Sequence, residues 1–516
     1  MVNKTGIMLQ GTSSHVGKSL LATALCRIFY QEGYSTAPFK AQNMALNSMV
    51  TPWGEEMGRA QGVQAEAAGT VPDSCMNPIL IKPKGDMEAQ IIIQGKPRQD
   101  MSARDYRENF LPQGKRIIKE AIASLKERYQ VLVLEGAGSP AEINLKDGDL
   151  VNMATARWSQ VPVLLVADID RGGVFASLVG TLQLLEPWER KLVKGFIINK
   201  FRGDVELLKP GLKMLEERTG KPVLGVVPYL HAHGIEEEDS VSLQESDCWG
   251  PIDASLKIAV IQLPRLSNFT DLDPLIKLPD TRVFLVKPGK RIGEADAVII
   301  PGSKNTFQDL KYLKEQGYPE EIADLVKRGS YLIGICGGYQ MLGEELKDPQ
   351  GSENGDTGEE DFLVGLGYLP LRTTFSHGKS THQVEAELEA AEGWLAPLQA
   401  AMVEGYEIHA GKVEFTREHP PLLTIIRRSE DRVRIPDGAS TAWGKVWGTH
   451  LHGIFHNRQL LLAFANALRQ SKGKNPLAER DLKDSSRGAS YDSLAHQVRS
   501  SLDMERLYKI MGLAET

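Results

Sequence analysis

Several features that would indicate a membrane or secreted protein are missing from this 516-residue sequence. The chain has no run of about eighteen apolar residues, so we expect no transmembrane helix. The apolar stretch in MVNKTGIMLQG is too short for a signal peptide. There are only 4 cysteines, and their spacing fits neither a zinc site nor a disulfide framework. These absences predict a protein of the reducing cytoplasm without structural zinc.

Positive charge and repetition are also scarce. The formal net charge is -7, so the chain lacks the basic surplus of a general nucleic-acid-binding protein. No internal repeat of fixed period and no low-complexity tract occurs. With 41% hydrophobic and 25% charged residues, the composition is that of an ordinary globular protein. Its length suggests roughly three domains, or fewer if they are large.

The first motif is a glycine loop. GIMLQ precedes GTSSHVGKS, and apolar residues then recur at helical spacing up to Gly33. A strand, a glycine loop and a helix are the context of a Walker A motif, in which backbone N–H groups bind phosphate oxygens. A glycine turn that merely opens a helix is the plainer alternative. The candidate nucleotide-binding residues are Gly11, Thr12, Val16, Gly17, Lys18 and Ser19, with the Ser19 hydroxyl also a candidate Mg²⁺ ligand.

Four apolar runs follow this loop: VLVLEGAG (131–138), VPVLLVADID (161–170), GFIINKFRG (195–203) and KPVLGVVP (221–228). Helical stretches separate them, which predicts a parallel sheet covered on both faces. Ligands of such folds bind outside the carboxyl ends of the strands. Glu135 lies at one such end and is a candidate Mg²⁺ ligand, or alternatively a loop cap. Asn199 and Lys200 lie at another and are candidates for contacting the adenine of a nucleotide.

Hydrogen-bonding side chains are concentrated in PFKAQNMALNS (38–48). RAQGVQAEAAG (59–69) and MNPILIKP (76–83) continue this polar, small-residue character. One interpretation is a site for a substrate rich in carboxylates and amides. The alternative is a solvated loop and helix. The candidate substrate-binding residues are Lys40, Gln42, Asn43 and Asn47.

A polar and acidic stretch at 231–255 predicts a domain boundary. New strand-like runs follow it, and the run YLIGICGGYQML (331–342) places Cys336 before two glycines and a helical stretch. This is the pattern of a nucleophile elbow, and a helix that begins after the cysteine favours the thiolate. Candidates for stabilising an oxyanion are the backbone N–H groups of Gly337 and of the turn at Gly302 and Ser303.

A catalytic thiolate normally needs a base. WGKVWGTHLHGIFHN supplies His450, His452 and His456. On a strand His450 and His452 would share a face, so the pattern alone does not choose between them. A buried core cysteine with incidental histidines is the plainer alternative.

Together these motifs resemble the cobyric acid synthase family of glutamine-dependent amidotransferases. The blocks, in order, are GTSSHVGKS, PFKAQNMALNS, MNPILIKP, EGAGSPAEINL, DIDRGGVFAS, PGSKNT, ICGGYQMLG, GYEIH and GTHLHGIF. They extend from about residue 5 to about residue 457. The phosphate loop and the cysteine elbow occur in many enzymes, whereas PFKAQNMALNS and GAGSPAEINL are specific to this family.

The resemblance implies an α/β protein of two domains. An N-terminal P-loop domain like that of dethiobiotin synthetase, with a parallel sheet, is expected at 1–235. A class I glutamine amidotransferase domain of flavodoxin-like fold is expected at 256–460, after a linker at 236–255. Because apolar residues recur at helical spacing near the C-terminus, we expect 461–516 to be a helical tail packed on the amidotransferase domain.

Residue roles are also implied by the resemblance. Cys336 would be the nucleophile, His452 the base, and Gln340 would help to hold the bound glutamine. Most class I amidotransferases carry a glutamate two residues after the histidine, but here the position is Ile454. The third member of the usual triad is therefore missing, and His450 is a candidate for orienting His452.

The implied reaction consumes ATP with Mg²⁺ and takes nitrogen from glutamine. It amidates the b, d, e and g carboxylates of adenosylcobyrinic acid a,c-diamide, giving adenosylcobyric acid in cobalamin biosynthesis. One alternative is cobyrinic acid a,c-diamide synthase, which shares both domain types. A P-loop ATPase that partitions or positions cargo is a more distant alternative. We expect a corrinoid small-molecule substrate, no nucleic-acid or membrane partner and a cytoplasmic location; the sequence does not indicate an oligomeric state.

Overall fold

The computed structural model describes residues 4–84, 88–230, 235, 247–353, 361–389, 392–482 and 487–513. The chain forms two compact units, each built on a sheet with a parallel centre. The first unit consists of the described parts of 1–45, 57–236 and 485–516, and the second of those of 46–56 and 237–484. The predicted α/β fold is confirmed. Within the described ranges, no helix is both long and apolar enough to cross a membrane.

The central sheet of the first unit is parallel throughout its described strands. In spatial order these are Val223–Pro228, Val193–Phe201, Val163–Asp168, Thr5–Gly11, Val131–Glu135 and Thr36–Phe39. Strands covered on both faces must be apolar on both faces, which is why they read as continuous apolar runs. Since the first strand lies inside the sheet, the glycine loop that follows it reaches the carboxyl edge between two neighbouring strands.

A smaller sheet and the helices complete the first unit. The smaller sheet is formed, in spatial order, by Gln42–Met44, Ile79–Pro83, Glu88–Ile93 and Lys96–Ser102. The helices are Lys18–Gln31, Arg59–Ala67, Ala103–Asp105, Leu111–Arg128, Met153–Ser159, Val174–Leu184, Pro187–Leu192, Val205–Thr219, Arg487–Ser501 and Met504–Met511. Short helical turns occupy Ser74–Met76, Tyr106–Phe110 and Ile143–Gly148.

The main sheet of the second unit has a parallel centre and antiparallel edge strands. In spatial order its strands are Cys248–Trp249, Thr281–Val286, Leu256–Ile261, Ala297–Ile300, Tyr331–Ile335, Val446–Thr449 and Ala439–Ser440. A further sheet contains Phe362–Val364, Glu345–Lys347, Leu371–Leu388, Leu423–Arg428, Asp431–Asp437 and Met402–Phe415. The short strand Ser48–Val50 also lies in this unit, and the short strand Glu56–Gly58 begins in it.

The helices of the second unit flank its main sheet. They are Asp273–Ile276, Thr306–Glu315, Tyr318–Lys327, Gly337–Met341 and Arg458–Ser471. Single helical turns occupy Phe269–Leu272, Gly393–Leu398, Ala442–Gly444, Ile454–His456 and Glu479–Asp481. The long helix Arg458–Ser471 buries Leu460, Phe464 and Leu468 in the core of this unit, as expected for the start of the predicted tail.

The expected packing of the rest of the tail is wrong. Residues 487–513 belong to the first unit, where Leu494 and Val498 join the same buried cluster as Leu25 and Phe29. Its helices there are Arg487–Ser501 and Met504–Met511. The tail can approach closely because Gly225 has no side chain. A Cβ atom at this position would lie only 2.1 Å from the carbonyl oxygen of Ser501 in the tail. Helical periodicity revealed the apolar face of the tail but not its partner.

The predicted domain boundaries also need revision. Residues 46–56, which were assigned to the first domain, lie in the second unit. The predicted linker at 236–255 lies partly outside the described residues, and within it Cys248–Trp249 is an edge strand of the main sheet of the second unit. The composition of residues 46–56 does not differ from that of their neighbours in a way that indicates a change of unit. The sequence therefore did not reveal that they belong to the second unit.

Candidate active sites

Cys336 lies at a sharp turn between the strand Tyr331–Ile335 and the helix Gly337–Met341. Its φ is 53°, in the left-handed region that residues other than glycine rarely adopt. A Cβ atom at Gly338 would lie 1.9 Å from the carbonyl oxygen of Ile300, so only glycine fits there. The structure thus has the strand–turn–helix geometry of a nucleophile elbow.

His452 is fully buried and interacts with Cys336. Its Nδ1 lies 2.7 Å from Oδ2 of Asp271, and the other oxygen of this carboxylate accepts a hydrogen bond from the N–H of Gly453 at 2.6 Å. Burial by itself lowers the pKa of the imidazole, but Asp271 and Cys336 outweigh burial and raise this pKa to about 10. The thiol, imidazole and carboxylate therefore form a Cys–His–Asp arrangement in which the ring can hold the thiol proton.

Asp271 orients His452, and sequence reasoning missed it. The candidate for this role was His450, but Nδ1 of His450 lies 2.6 Å from Oδ1 of Asp437 instead. The third histidine of the segment, His456, is exposed. A signal for Asp271 was present in SNFTDLD, which follows the strand Leu256–Ile261 of the second unit, because loops at the carboxyl edge of a parallel sheet converge.

The predicted oxyanion residues meet beside the nucleophile. A Cβ atom at Gly337 would lie 3.0 Å from the backbone nitrogen of Ser303, and one at Gly302 would lie 2.8 Å from Cε1 of His452. The Ser303 hydroxyl donates to Oδ2 of Asp309 at 2.6 Å, which holds the turn in place. The two backbone segments therefore approach each other close to where an oxyanion would form.

Gln340 is buried, and both ends of its amide are bonded within the protein. Its Oε1 accepts from the Thr306 hydroxyl at 3.2 Å, and its Nε2 donates to the carbonyl of Ala410 at 2.9 Å. Ile408, on the same strand as Ala410, has its carbonyl oxygen 3.6 Å from the Sγ of the nucleophile. Gln340 therefore braces the wall of the thiol site, and its direct contact with glutamine stays a prediction.

The glycine loop of the first unit joins the first strand to the helix that begins at Lys18. The Lys18 ammonium donates to the carbonyl oxygens of Ser13 at 3.2 Å and Gly138 at 3.4 Å, so it lies over the loop. Gly17 has a φ of 91°, which glycine adopts at no steric cost. The predicted nucleotide-binding residues at this loop are Gly11, Thr12, Val16, Gly17, Lys18 and Ser19.

Glu135 is the central anion beside this loop. Its Oε1 accepts hydrogen bonds from the Ser19 hydroxyl at 2.7 Å and the Lys40 ammonium at 3.1 Å, and its Oε2 accepts one from Gln64 at 2.9 Å. Burial raises the pKa of this carboxyl, but Lys40, Lys18 and the hydrogen bonds from Ser19 and Gln64 lower it below its usual value. Sequence reasoning missed Gln64, although the polar stretch at 59–69 contains it.

The donor set at this position fits Mg²⁺. The Ser19 hydroxyl and the Glu135 carboxylate lie 2.7 Å apart, and hard oxygen ligands of this kind are those that Mg²⁺ prefers. In phosphate-loop proteins, the loop hydroxyl and an acid at a neighbouring strand end hold the metal together with the nucleotide phosphates. Ser19 and Glu135 therefore fit the ligands of Mg²⁺, and their role as metal ligands stays a prediction.

Asn199 is buried and Lys200 is half-buried, and both side chains are bonded within the protein. Nδ2 of Asn199 donates to the carbonyl of Val16 at 2.8 Å, and the residue is only 3% exposed. The Lys200 ammonium lies 3.1 Å from Oδ2 of Asp168. Asn199 thus supports the backbone of the glycine loop, and a contact of either residue with adenine stays a prediction.

The four candidate substrate-binding residues lie in different surroundings. Lys40 lies at the phosphate site. Gln42 accepts a hydrogen bond from the Tyr106 hydroxyl, and Asn43 is buried in the same unit. Asn47 belongs to the second unit. Three of the four residues therefore lie in the first unit and one in the second, and their role in substrate binding stays a prediction.

Both halves of the chain match known families. Residues 257–460 match the family described as CobB/CobQ-like glutamine amidotransferase domain. Residues 7–241 match the family described as CobQ/CobB/MinD/ParA nucleotide binding domain. The two predicted types of domain are thereby confirmed.

Curated relatives match over nearly the whole length. The cobyric acid synthase of Desulforamulus reducens is 56% identical over 509 residues, which cover 99% of this chain and 98% of the relative. The cobyric acid synthase of Caldanaerobacter subterraneus subsp. tengcongensis is 49% identical over 98% of each chain. That of Geobacillus thermodenitrificans is 48% identical over 99% of each chain.

Proposed function

Because the chain belongs to the cobyric acid synthase family, we propose that it amidates the b, d, e and g carboxylates of adenosylcobyrinic acid a,c-diamide. The product is adenosylcobyric acid, an intermediate of cobalamin biosynthesis, and each amidation consumes one ATP and one glutamine. The observation that carries the proposal is the presence, on one chain, of the Cys336–His452–Asp271 arrangement and of the phosphate loop with Lys18 and Glu135.

The second unit releases ammonia from glutamine. The Cys336 thiolate attacks the amide carbon, and the backbone N–H groups near Gly337 and Ser303 stabilise the oxyanion. His452, held by Asp271, gives its proton to the leaving nitrogen, so that ammonia departs and a thioester forms. Water then hydrolyses the thioester to glutamate and regenerates the thiol.

The first unit activates the carboxylate. A carboxylate does not react with ammonia directly, because oxide is too poor a leaving group. Attack of the carboxylate oxygen on the terminal phosphorus of ATP gives an acyl phosphate and ADP, and ammonia then displaces phosphate to form the amide. Lys18 binds the terminal phosphates, and Lys40 holds the Glu135 carboxylate beside Ser19. Ser19 and Glu135 would hold a magnesium ion, which would supply positive charge to the phosphates.

The test is a reaction with adenosylcobyrinic acid a,c-diamide, ATP, Mg²⁺ and either glutamine or ammonia, followed by mass spectrometry. We expect four successive amidations. Cys336→Ser should remain active with ammonia but not with glutamine, because only the second unit needs the thiol. Hydrolysis of glutamine without any change in the corrinoid would contradict the proposed substrate.

Neither alternative raised from the sequence is favoured. The curated relatives described above are cobyric acid synthases over nearly the full length of the chain. A partitioning or positioning ATPase would also have no use for a nucleophile elbow at Cys336.

A further inference from the structure

The first unit contains a cavity of about 780 Å³. The reactions proposed for the phosphate site and the thiol site do not yet give this cavity a role. The smaller sheet and the loop that follows Glu135 supply much of its lining. Met44 and Leu145 line it and are 62% and 43% exposed. Its volume lies in the range of small-molecule sites, about 300–1,000 Å³, and exposed apolar side chains in such a cavity indicate a surface that a ligand covers.

Gly138 borders both this cavity and the phosphate site. Its carbonyl oxygen accepts the hydrogen bond from the Lys18 ammonium at 3.4 Å, and the same residue lines the cavity. The loop is fixed at this point, because Nδ2 of Asn152 donates to the carbonyl of Ala137 at 2.8 Å. A carboxyl group directed at this edge would lie next to the lysine that binds the terminal phosphate, where acid activation requires it.

Three of the segments that carry the resemblance to the family line the cavity, whereas the glycine loop does not. PFKAQNMALNS contributes Gln42 and Met44, MNPILIKP contributes Ile81 and Pro83, and GAGSPAEINL contributes most of 137–145. A phosphate loop is common to many enzymes, so the residues that recognise a particular substrate are expected outside it.

Two basic side chains line the cavity, and one of them, Lys146, has its ammonium 2.9 Å from Oε2 of Glu189. Arg107 lines the cavity, is exposed, and forms no ion pair with any residue in the described part of the chain. Among the acidic lining residues, Asp149 accepts from the backbone N–H of Val151 at 2.9 Å, and Glu189 pairs with an ammonium. The other acidic lining residues are exposed to water. Arg107 is therefore available to a substrate carboxylate.

We propose that this cavity binds the corrin ring of the acid substrate, with the carboxyl group being amidated at the Gly138 edge. The proposal rests on the proposed function and adds to it the place where the substrate binds. A ring that presents several carboxylates in turn must bind in several orientations. An apolar wall suits this need, because apolar contact is not directional and tolerates rotation of the ring.

The test narrows the cavity at an exposed position. Leu145→Trp adds bulk to the wall, and the residue is already 43% exposed, so the fold should tolerate the change. The matched control is Ile143→Trp, at a residue of the same helical turn that is 62% exposed and does not line the cavity. Binding of the corrinoid diamide to the full-length protein is measured by ultrafiltration, from its visible absorbance. The KM values for corrinoid and ATP are measured with ammonia as the nitrogen source.

Leu145→Trp is expected to weaken corrinoid binding and to raise its KM by about tenfold, with the KM for ATP and the hydrolysis of glutamine unchanged. Ile143→Trp should match the wild type. If Leu145→Trp binds the corrinoid normally and the wild type amidates it, the proposed binding place of the corrin ring would be wrong, but the proposed function would stand. A wild type that neither binds nor amidates the corrinoid would overturn the proposed function, and the two failures are therefore distinguishable.

Discussion

Asp271 and His452 are held 2.7 Å apart and almost completely out of water. In such surroundings an isolated imidazole stays neutral, because burial disfavours its charged form. The adjacent carboxylate and the sulfur of Cys336 reverse this preference and raise the pKa of His452 to about 10. The site therefore favours the imidazolium form of His452, which can give a proton to a leaving nitrogen.

Asp271→Asn is expected to lower the kcat of glutamine hydrolysis by about 10²–10⁴-fold. The amide keeps the shape of the side chain but removes the charge that protonates His452. Since the folded pKa of His452 lies above the ordinary 6.5, the imidazolium persists until the pH rises through about 10. In the variant this limit, measured on the alkaline side of the pH–rate profile, should move to lower pH, while amidation with ammonia is retained.

The matched control for this prediction is Asp437→Asn. Asp437 holds His450 in the same way, at 2.6 Å, but the ring it holds is not the one that interacts with Cys336. Asp437→Asn should therefore leave unchanged the pH at which glutamine hydrolysis declines on the alkaline side of the pH–rate profile. A shift in this control without a shift in Asp271→Asn would assign the catalytic base to His450 instead.

Glu135→Gln is expected to raise the Mg²⁺ concentration needed for half-maximal amidation and to slow amidation with ammonia by about 10²-fold. The carboxylate lies between Lys40 and Ser19 and is kept ionised by the ammonium groups around it. A neutral amide would neither hold Mg²⁺ as well nor balance the lysines. The measurement is a magnesium titration with ammonia, and an unchanged titration curve would remove Glu135 from the metal site.

At the scale of elements, Asn47 and Ser48, at the end of the PFKAQNMALNS block, are hydrogen-bonded to the loop that holds the His452 imidazole. Asn47 accepts a hydrogen bond from the N–H of Phe269 at 3.3 Å, and the N–H of Ser48 donates to Oδ1 of Asn268 at 3.0 Å. Nδ2 of Asn268 lies 3.3 Å from Nε2 of the same imidazole that Asp271 holds, so this segment supports the loop that carries both residues.

Asn47→Ala is expected to lower glutamine hydrolysis by roughly tenfold and to cost about 1–3 kcal/mol of stability, because the buried N–H of Phe269 loses an acceptor. Amidation with added ammonia should not change in Asn47→Ala, because that reaction does not use the thiol site. Asn43→Ala is the matched control: it lies four residues earlier and is equally buried, at 3%, but its Nδ2 donates to Gln61 in the first unit. A similar loss of glutamine hydrolysis in both variants would show that the effect is not specific to the loop.

The strands and both glycine-rich turns were predictable, because their signals are local. A strand such as Val131–Glu135 is an apolar run ended by a polar residue, and Gly338 stands where a side chain would meet Ile300 at 1.9 Å. Asp271 and the segment 46–56 were missed because their importance depends on which distant parts of the chain they meet. Sequence spacing does not encode such pairings.

At the scale of the whole molecule, the two ends of the chain belong to one folding unit. Leu494 and Val498 share a buried cluster with Leu25 and Phe29, although more than 400 residues separate them in sequence. The first unit is therefore incomplete until the C-terminus is available, whereas the second unit is nearly continuous in sequence. Contacts of such long sequence separation are costly to form, because the closure of a long loop must precede them.

Leu494→Ala is expected to destabilise the first unit by about 2–5 kcal/mol, as for other large-to-small changes in a core. Leu468→Ala is the matched variant, a leucine equally buried in the core of the second unit. The unfolding of each unit is followed by two assays after heating. ATP binding reports on the first unit, and glutamine hydrolysis reports on the second. Leu494→Ala should lose ATP binding at a lower temperature than the wild type, and Leu468→Ala should lose glutamine hydrolysis first. If Leu494→Ala instead lost only glutamine hydrolysis, the tail would pack where its sequence alone suggested, on the amidotransferase unit.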